Sequence, residues 1–290
     1  MAVAEPFIAP APLLGRFRER ARSAFAGTPA GGWVAFGAVG LILLVTMLAP
    51  VLVPYEPTLP VGKPLTGPSG SNLLGTDEIG RDILSRVLMG MGSSWWGAMA
   101  VIASGLLIGG AIGLVAGAAG GFVDGLFMRF TDVFLAMPGA VLAIAVVAAM
   151  GPSYTNTLVA IGIVWWPLYA RIMRGEVRRL RASPHIEAAR LAGAGRIRLA
   201  VRHLLPGATP SMLVAASLDV SALVLSLAGL SFLGLGAPAP APELGAMTAR
   251  GVTYLFTAWW VPIMPATAVF LLALVANFGG DAIRDRLRDR

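Results

Sequence analysis

Cysteine is absent from this 290-residue chain, and only 13% of its residues are charged. The first absence excludes a disulfide framework, a thiolate nucleophile and a cysteine-ligated metal site. The second is about half the charged share of an ordinary soluble domain. Histidine occurs only at His185 and His203, in one polar segment, which argues against a histidine-built zinc site or triad. Lysine occurs once, at Lys63, so the remaining basic residues are all arginine.

What is present is apolar: 57% of residues, with a mean hydropathy of +0.77. Such a chain cannot cover a water-facing surface with polar groups, and it is too apolar for disorder. The net charge of +7 and pI near 10.9 admit two explanations, nucleic acid or the inner ends of membrane helices. Charge placement separates them.

A bilayer core of about 30 Å needs about 20 apolar residues as helix. Stretches free of charge, or nearly so, predict six spans: Trp33–Val53, Trp95–Val123, Val133–Pro152, Thr155–Ala170, Pro206–Leu230 and Gly251–Gly280. With the N-terminus inside, eighteen of the 22 basic residues fall on the inner side, nine of them between Arg171 and Arg202. Only Lys63, Arg81, Arg86 and Arg250 fall outside. This split satisfies the positive-inside rule with both termini cytoplasmic and needs no nucleic acid. The reading divides the chain into a cytoplasmic segment 1–32, a first helix 33–53, an extracytoplasmic segment 54–94, a five-helix core 95–280 and a cytoplasmic tail 281–290. The first apolar run is too long for a typical cleavable signal, so an uncleaved helix is expected.

Outside, Pro54–Gly70 reads as loop and Asn72–Arg86 as a short amphipathic helix. Thr76 would cap it, Asp77 and Glu78 would sit in its first turn, and Asp77/Arg81 and Asp82/Arg86 would pair across one turn. Ile79, Ile83 and Val87 would share a face. Such a helix is either a lipid-lying connector or a docking surface for an external partner. Residues 231–250, rich in Pro, Ala and Gly, read as an ordered external loop or a re-entrant one. Inside, residues 171–206 are too basic to enter lipid. Ser183-Pro184 starts a helix, and Gly193 and Gly195 break it from a second. A solvated basic loop has little reason to carry Ile186, Ala188, Ala189 and Leu191 around that break, so a projecting helix-turn-helix with a partner-facing surface is expected.

The residues Glu187-Ala188-Ala189, then Gly193, then His203-Leu204-Leu205-Pro206 have the spacing of the EAA loop. In this the chain resembles the permease subunits of bacterial ABC importers. Leu74–Arg86, Leu230–Gly236 and Gly280–Asp285 resemble further signatures of the dipeptide/oligopeptide/nickel branch, on the expected sides of the membrane. The likeness covers residues 33–290 and is nearest to the DppC/OppC-like type.

The resemblance implies an all-α integral membrane protein of the type I ABC importer permease fold. It implies a non-catalytic subunit that forms half of a pathway for peptides, or for nickel or another small solute. Its expected partners are a homologous DppB/OppB-like permease, two DppD/DppF-like ATPases, an extracytoplasmic solute-binding protein and the bilayer, with no nucleic acid. No cofactor is expected on this chain, since ATP and Mg would sit on the ATPases. The one lysine lies outside and no Walker motif is present. Coupling to the ATPases would run through Glu187, Ala188, Ala189, Gly193, His203, Leu205 and Pro206. Glu187 serves either a partner's basic group or its own helix start. The external docking candidates are Asp77, Glu78, Arg81, Asp82 and Arg86.

Asp219 stands out within the fifth span. It lies about 20 Å along a helix that starts at Pro206, where an unpartnered charge costs at least about 3 kcal/mol. It therefore faces either the pathway or another helix. Asp124, Arg129 and Asp132 read as interfacial pairs, and Pro138, Pro167, Pro262 and Pro265 as kinks. Two rival classes are weaker. A secondary transporter would show internal repeats, and an intramembrane enzyme would need paired catalytic groups within the spans.

The topology is directly testable. Tags near residues 65 and 240 should be labelled only from outside, and one near residue 195 only from the cytoplasm. Reversed labelling would sink the arrangement.

Overall fold

The computed structural model describes residues 29–288. The N-terminal arginines used for orientation, Arg16 to Arg22, and the last residue, Arg290, lie outside the described residues. Helix α1 is Pro29–Leu52 and α2 is Ile83–Ala119. Helices α3 (Gly121–Leu135) and α4 (Gly139–Met150) follow, then α5 (Tyr154–Arg181). Two short helices, α6 (Pro184–Leu191) and α7 (Arg196–Leu199), lead through a π-helical turn at Ala200–Leu204 into α8 (Leu205–Phe232). Helices α9 (Leu244–Gly251) and α10 (Trp260–Arg288) complete the described chain. Among the described residues the only β pairing is an isolated bridge between Thr76 and Asp82.

Among the described residues, four helical stretches are long and apolar enough to span a bilayer: Gly32–Leu52, Ile83–Ala119, Arg196–Phe232 and Trp260–Arg286. Helices α3 and α4 make a fifth only if counted together, and they meet at 85°. The expected single span Val133–Pro152 is therefore broken at Met137–Pro138. Proline lacks an N–H and disfavours helix in the residue before it, and Pro138 caps α4 instead of continuing α3. The expected fourth span falls on the apolar half of α5, which runs on as helix through Arg171 to Arg181 and is not among the stretches long and apolar enough to span.

Other boundaries also moved. The second span begins at Ile83, not Trp95, because Asp82 caps it: its carboxylate accepts from the Ser85 N–H and hydroxyl at 2.8 and 2.7 Å. Pro206 stands in the first turn of α8, and the π turn ahead of it continues the helix back to α7, so the chain is helical without a break from Arg196 to Phe232. The sixth span begins at Trp260, because Gly251 ends a separate short helix. That helix, α9, buries Leu244, Ala246 and Met247, so residues 231–250 contain ordered structure rather than only loop.

Helices α2 and α5 form the tightest pair. Gly105, Gly109, Gly113 and Gly117 repeat every fourth residue along α2, on one face. A Cβ at Gly105 would lie 2.7 Å from the Tyr169 ring, and one at Gly117 would lie 2.8 Å from Val177 Cγ1. At Gly109 and Gly113 it would drive into the backbone carbonyls of Trp166 and Ala170. The two helices thus touch backbone to backbone. Burial follows the same seam, with Ala160, Tyr169, Ala170 and Val177 of α5 fully enclosed.

A substitution with backbone in its way cannot be relieved by a rotamer change. Gly109→Val should therefore lower the melting temperature sharply or prevent accumulation of folded protein, beyond the ~1–3 kcal/mol of ordinary overpacking. Gly125→Ala on α3, where a Cβ meets nothing within 4 Å, should melt like the unaltered chain.

Candidate functional site

The projecting element begins where α5 ends. Ser183 adopts an extended conformation and Pro184 occupies the first turn of α6, as Ser-Pro should. The backbone N–H groups of Ile186 and Glu187 bond the Ser183 carbonyl at 3.1 and 3.3 Å. Helix α6 ends in a Schellman motif. Gly193 takes φ +82°, its N–H bonds the Arg190 carbonyl at 2.9 Å, and the Ala194 N–H bonds the Ala189 carbonyl at 3.0 Å. A Cβ at Gly193 would meet nothing within 4 Å, so backbone conformation and not space calls for glycine there. Gly195 then leads into α7.

The element has an anchored face and a bare one. Ile186 is fully buried, and Leu199 and Leu204 join it in the core, with Ala189 and Ala194 packed against them. On the outside, Glu187 and Ala188 are exposed, and Leu191 and Ile197 stand 86% and 82% exposed. Ile197 escaped the sequence reading. Its signal is an apolar residue between Arg196 and Arg198, with no helical periodicity to support it. His203 is half-buried in the π turn, and Leu205 and Pro206 are exposed at the start of α8.

Asp219 sits at a contact between helices. Its carboxylate accepts from the Trp165 indole N–H of α5 at 3.2 Å and is half-buried. Trp165 was not singled out from sequence, since tryptophans in an apolar run read as filler or interface anchors. Asp124 accepts both guanidinium nitrogens of Arg174, at 2.5 and 2.7 Å, and Asp132 pairs with Arg171 at 2.6 Å.

The segment between α1 and α2 is packed against the rest of the chain. No helix covers 76–82. Thr76 instead holds the loop: its hydroxyl donates to the Lys63 carbonyl at 2.7 Å and accepts from the Thr66 N–H at 2.9 Å. Asp77 pairs with Arg81 at 2.5 Å as expected, and Arg81 also reaches Glu78 at 3.0 Å. The expected Asp82/Arg86 pair does not form. Asp82 accepts from Asn72 at 2.8 Å besides capping α2. Arg86, 1% exposed, donates to the carbonyls of Pro57 and Pro240 at 2.6 and 3.1 Å. The five docking candidates thus lie together, but Asp77, Arg81, Asp82 and Arg86 are buried at 1–4% exposure. Arg86 clamps the segment onto the loop after α8, the other three tie the segment to itself, and none of the four is presented outward. Ile79 is exposed while Ile83 and Val87 are buried, so the three share no face.

Glu243, also missed from sequence, closes that loop. It is 5% exposed, accepts from the Ser231 hydroxyl, and takes the Ala237 N–H at 2.9 Å. Burial pushes its carboxyl above the usual carboxylate range, and these two donors pull the other way.

The long apolar helices define a membrane protein, and the short helix pair carries an exposed apolar face. The family described as "Binding-protein-dependent transport system inner membrane component" matches residues 109–290, and the chain belongs to it. It is 40% identical over 248 residues to the probable D,D-dipeptide transport system permease protein DdpC of Escherichia coli (strain K12), covering 85% of this chain and 83% of that one. It is 37% identical over 254 residues to the nickel transport system permease protein NikC of the same strain, covering 86% and 90%. The fold is similar to that of the MetNI methionine ABC transporter in inward-facing conformations, with TM-score 0.56 and 20% identity over 71% of this chain and 97% of that one. The chain is thus a multi-pass membrane protein of a transport system, and its relatives are permease subunits, not catalysts. The secondary-transporter reading falls with the family match.

Within the site, the Trp165–Asp219 contact yields a stability test. Trp165→Phe removes the donor and keeps an aromatic ring at the position. It should cost about 0.6–1.7 kcal/mol, the range for hydrogen bonds between membrane helices, measured by thermal melting in detergent. An unchanged melt would show that the contact is not structural.

Proposed function

We propose that this chain is the permease subunit of an ATP-driven peptide importer, forming half of the pathway and receiving force through α6 and α7. The observation that carries this is the bare apolar surface of Leu191 and Ile197, on an element anchored by Ile186 and the Schellman turn. Exposed leucine and isoleucine side chains amid arginines are costly to leave in water, and an ATPase groove would cover them. The small side chains Ala188 and Ala189 let a partner surface approach α6 closely. Glu187, exposed in the first turn, offers that partner an acceptor. A homologous second permease would complete the pathway, and an external binding protein would deliver cargo. Both termini and α6 would then lie in the cytoplasm of a bacterial cell, below the inner membrane.

In this mechanism two ATPases close on ATP and shift the coupling elements, and the bundles pass between inward- and outward-open states. The chain binds no nucleotide. The unbroken helix from Arg196 to Phe232 carries a displacement of α7 into the bundle. Peptide cargo is favoured by the D,D-dipeptide relative, and the nickel relative supports a metal-ion cargo as the second reading. Asp219, with one side against Trp165 and the rest half-open, would add a weak attraction for a cationic cargo in the pathway.

Burying one leucine is worth about 1.5–3 kcal/mol, or roughly ten- to a hundredfold in affinity. Leu191→Asp should therefore abolish co-purification of the ATPase while the spans still insert, and Glu187→Lys should weaken it. Gly193→Asn, which tolerates a positive φ, should keep assembly better than Gly193→Val. ATPase retained by both Leu191→Asp and Glu187→Lys would overturn the coupling assignment.

A further inference from the structure

At the end of the bundle that carries α6, the ends of α2 and α5 and the start of α3 line an open cavity of about 380 Å³. Its walls include Gly120, Gly121, Asp124, Arg178 and Arg181. Its charges do not balance. Asp124 is the acid in the wall, and both its oxygens are taken by Arg174. Arg178 approaches Asp124 only to 3.8 Å and is 60% exposed. Arg181 donates from one nitrogen to the Gly117 carbonyl at 2.8 Å, which leaves most of its five N–H donors for another acceptor. Three guanidinium groups therefore surround one carboxylate, leaving an excess of two positive charges at the cavity.

Gly120 and Gly121 line the cavity without side chains, and their φ of +70° and +56° disfavour any other residue there. A Cβ at Gly120 would lie 3.2 Å from Arg181 Nη1. The volume falls within the range of about 300–1,000 Å³ usual for small-molecule sites.

A second observation says what kind of anion belongs there. From the cavity mouth at Gly121, a stripe of Phe122, Leu126 and Phe130 runs along α3 at every fourth residue. These side chains are 84%, 57% and 55% exposed. A free phosphate has no use for an apolar stripe leading away from its site. A phospholipid has a phosphate for the arginines and acyl chains for the stripe.

We propose that this cavity holds the headgroup of an anionic phospholipid, with Arg178 and Arg181 on the phosphate and the acyl chains along Phe122, Leu126 and Phe130. Arginine suits this role, since its planar fork bonds phosphate oxygens in pairs. Basic pockets between membrane helices on the cytoplasmic side are the places where such headgroups settle. The inference rests on the membrane-spanning reading above and puts the lipid in the leaflet on the α6 side. Because α5 leads through Ala182 and Ser183 into α6, the lipid would brace the base of the coupling element.

The test uses the full chain in detergent, supplemented with phosphatidylglycerol or phosphatidylcholine and followed by native mass spectrometry. Phosphatidylglycerol should be retained preferentially, and each of Arg178→Gln and Arg181→Gln should weaken that retention about fivefold. Arg178→Gln is the informative variant if Arg181→Gln melts early, because Arg178 makes only one long contact. Phe122→Ser should also lower retention with both arginines intact. Millimolar inorganic phosphate should neither displace the lipid nor raise the melting temperature. Equal retention of the two lipids, retention unchanged by Arg178→Gln and Phe122→Ser, or phosphate protecting as well as lipid would each overturn the proposal. None of these readouts involves ATPase capture by α6, so failure here leaves the coupling assignment standing, and the reverse holds.

Discussion

The backbone contact between α2 and α5 is the constraint on which the rest of the molecule depends. Lipid tails are as apolar as leucine, so helices in a bilayer gain little by burying apolar side chains against each other. What holds them is close packing, and four glycines spaced by four let α5 approach α2 until carbonyls fill the space of missing side chains. With that seam fixed, the other helices have defined places. Helix α8 packs against both members of the pair and α10 packs on α8, while α9 fills the space beside them. Outside the seam much of the apolar surface stays exposed, including Leu107, Phe270 and Leu271, as a lipid-facing or partner-facing exterior must.

The seam also explains why the charges at the two ends behave differently. At one end α5 leaves α2 as a continuous rod bearing Arg171, Arg174, Arg178 and Arg181, and these reach sideways to Asp132, Asp124 and the Gly117 carbonyl. Exposed pairs such as Arg171–Asp132 contribute little to stability. At the other end the ions are enclosed. Arg86 joins loops far apart in the chain by satisfying the Pro57 and Pro240 carbonyls, and Arg81 neutralises the buried Asp77 within its own turn, so removing either would strand buried partners.

Much of this was legible in the sequence, for identifiable reasons. Apolar runs located the cores of the membrane helices because the bilayer demands length and apolarity together. The α6 turn was legible because Ser-Pro and Gly193 act through their own backbone. Boundaries failed where a local rule competed with a longer one. Thr76 and Asp82 are both good caps, and only the contacts of Thr76 with Lys63 and Thr66 decide for Asp82. Pro206 reads as a helix start, but a π turn continues the helix back to α7. The burial of Arg86 was out of reach, since its partners Pro57 and Pro240 are backbone carbonyls without a sequence signature. The Asp219 contact with Trp165 and the exposure of Ile197 likewise emerge only from the packing of separate helices.

One contact joins the two ends of the described chain. The Arg286 guanidinium lies 4.6 Å from the ring centroids of both Trp33 and Phe36, where the start of α1 meets the end of α10. Ribosomes add roughly 5–20 residues per second, so Arg286 emerges roughly 12–50 seconds after Phe36 at that rate. For all that time α1 is threaded into the bilayer with one flank unpartnered. The first described helix to be made thus gains this contact only when the end of α10 is in place.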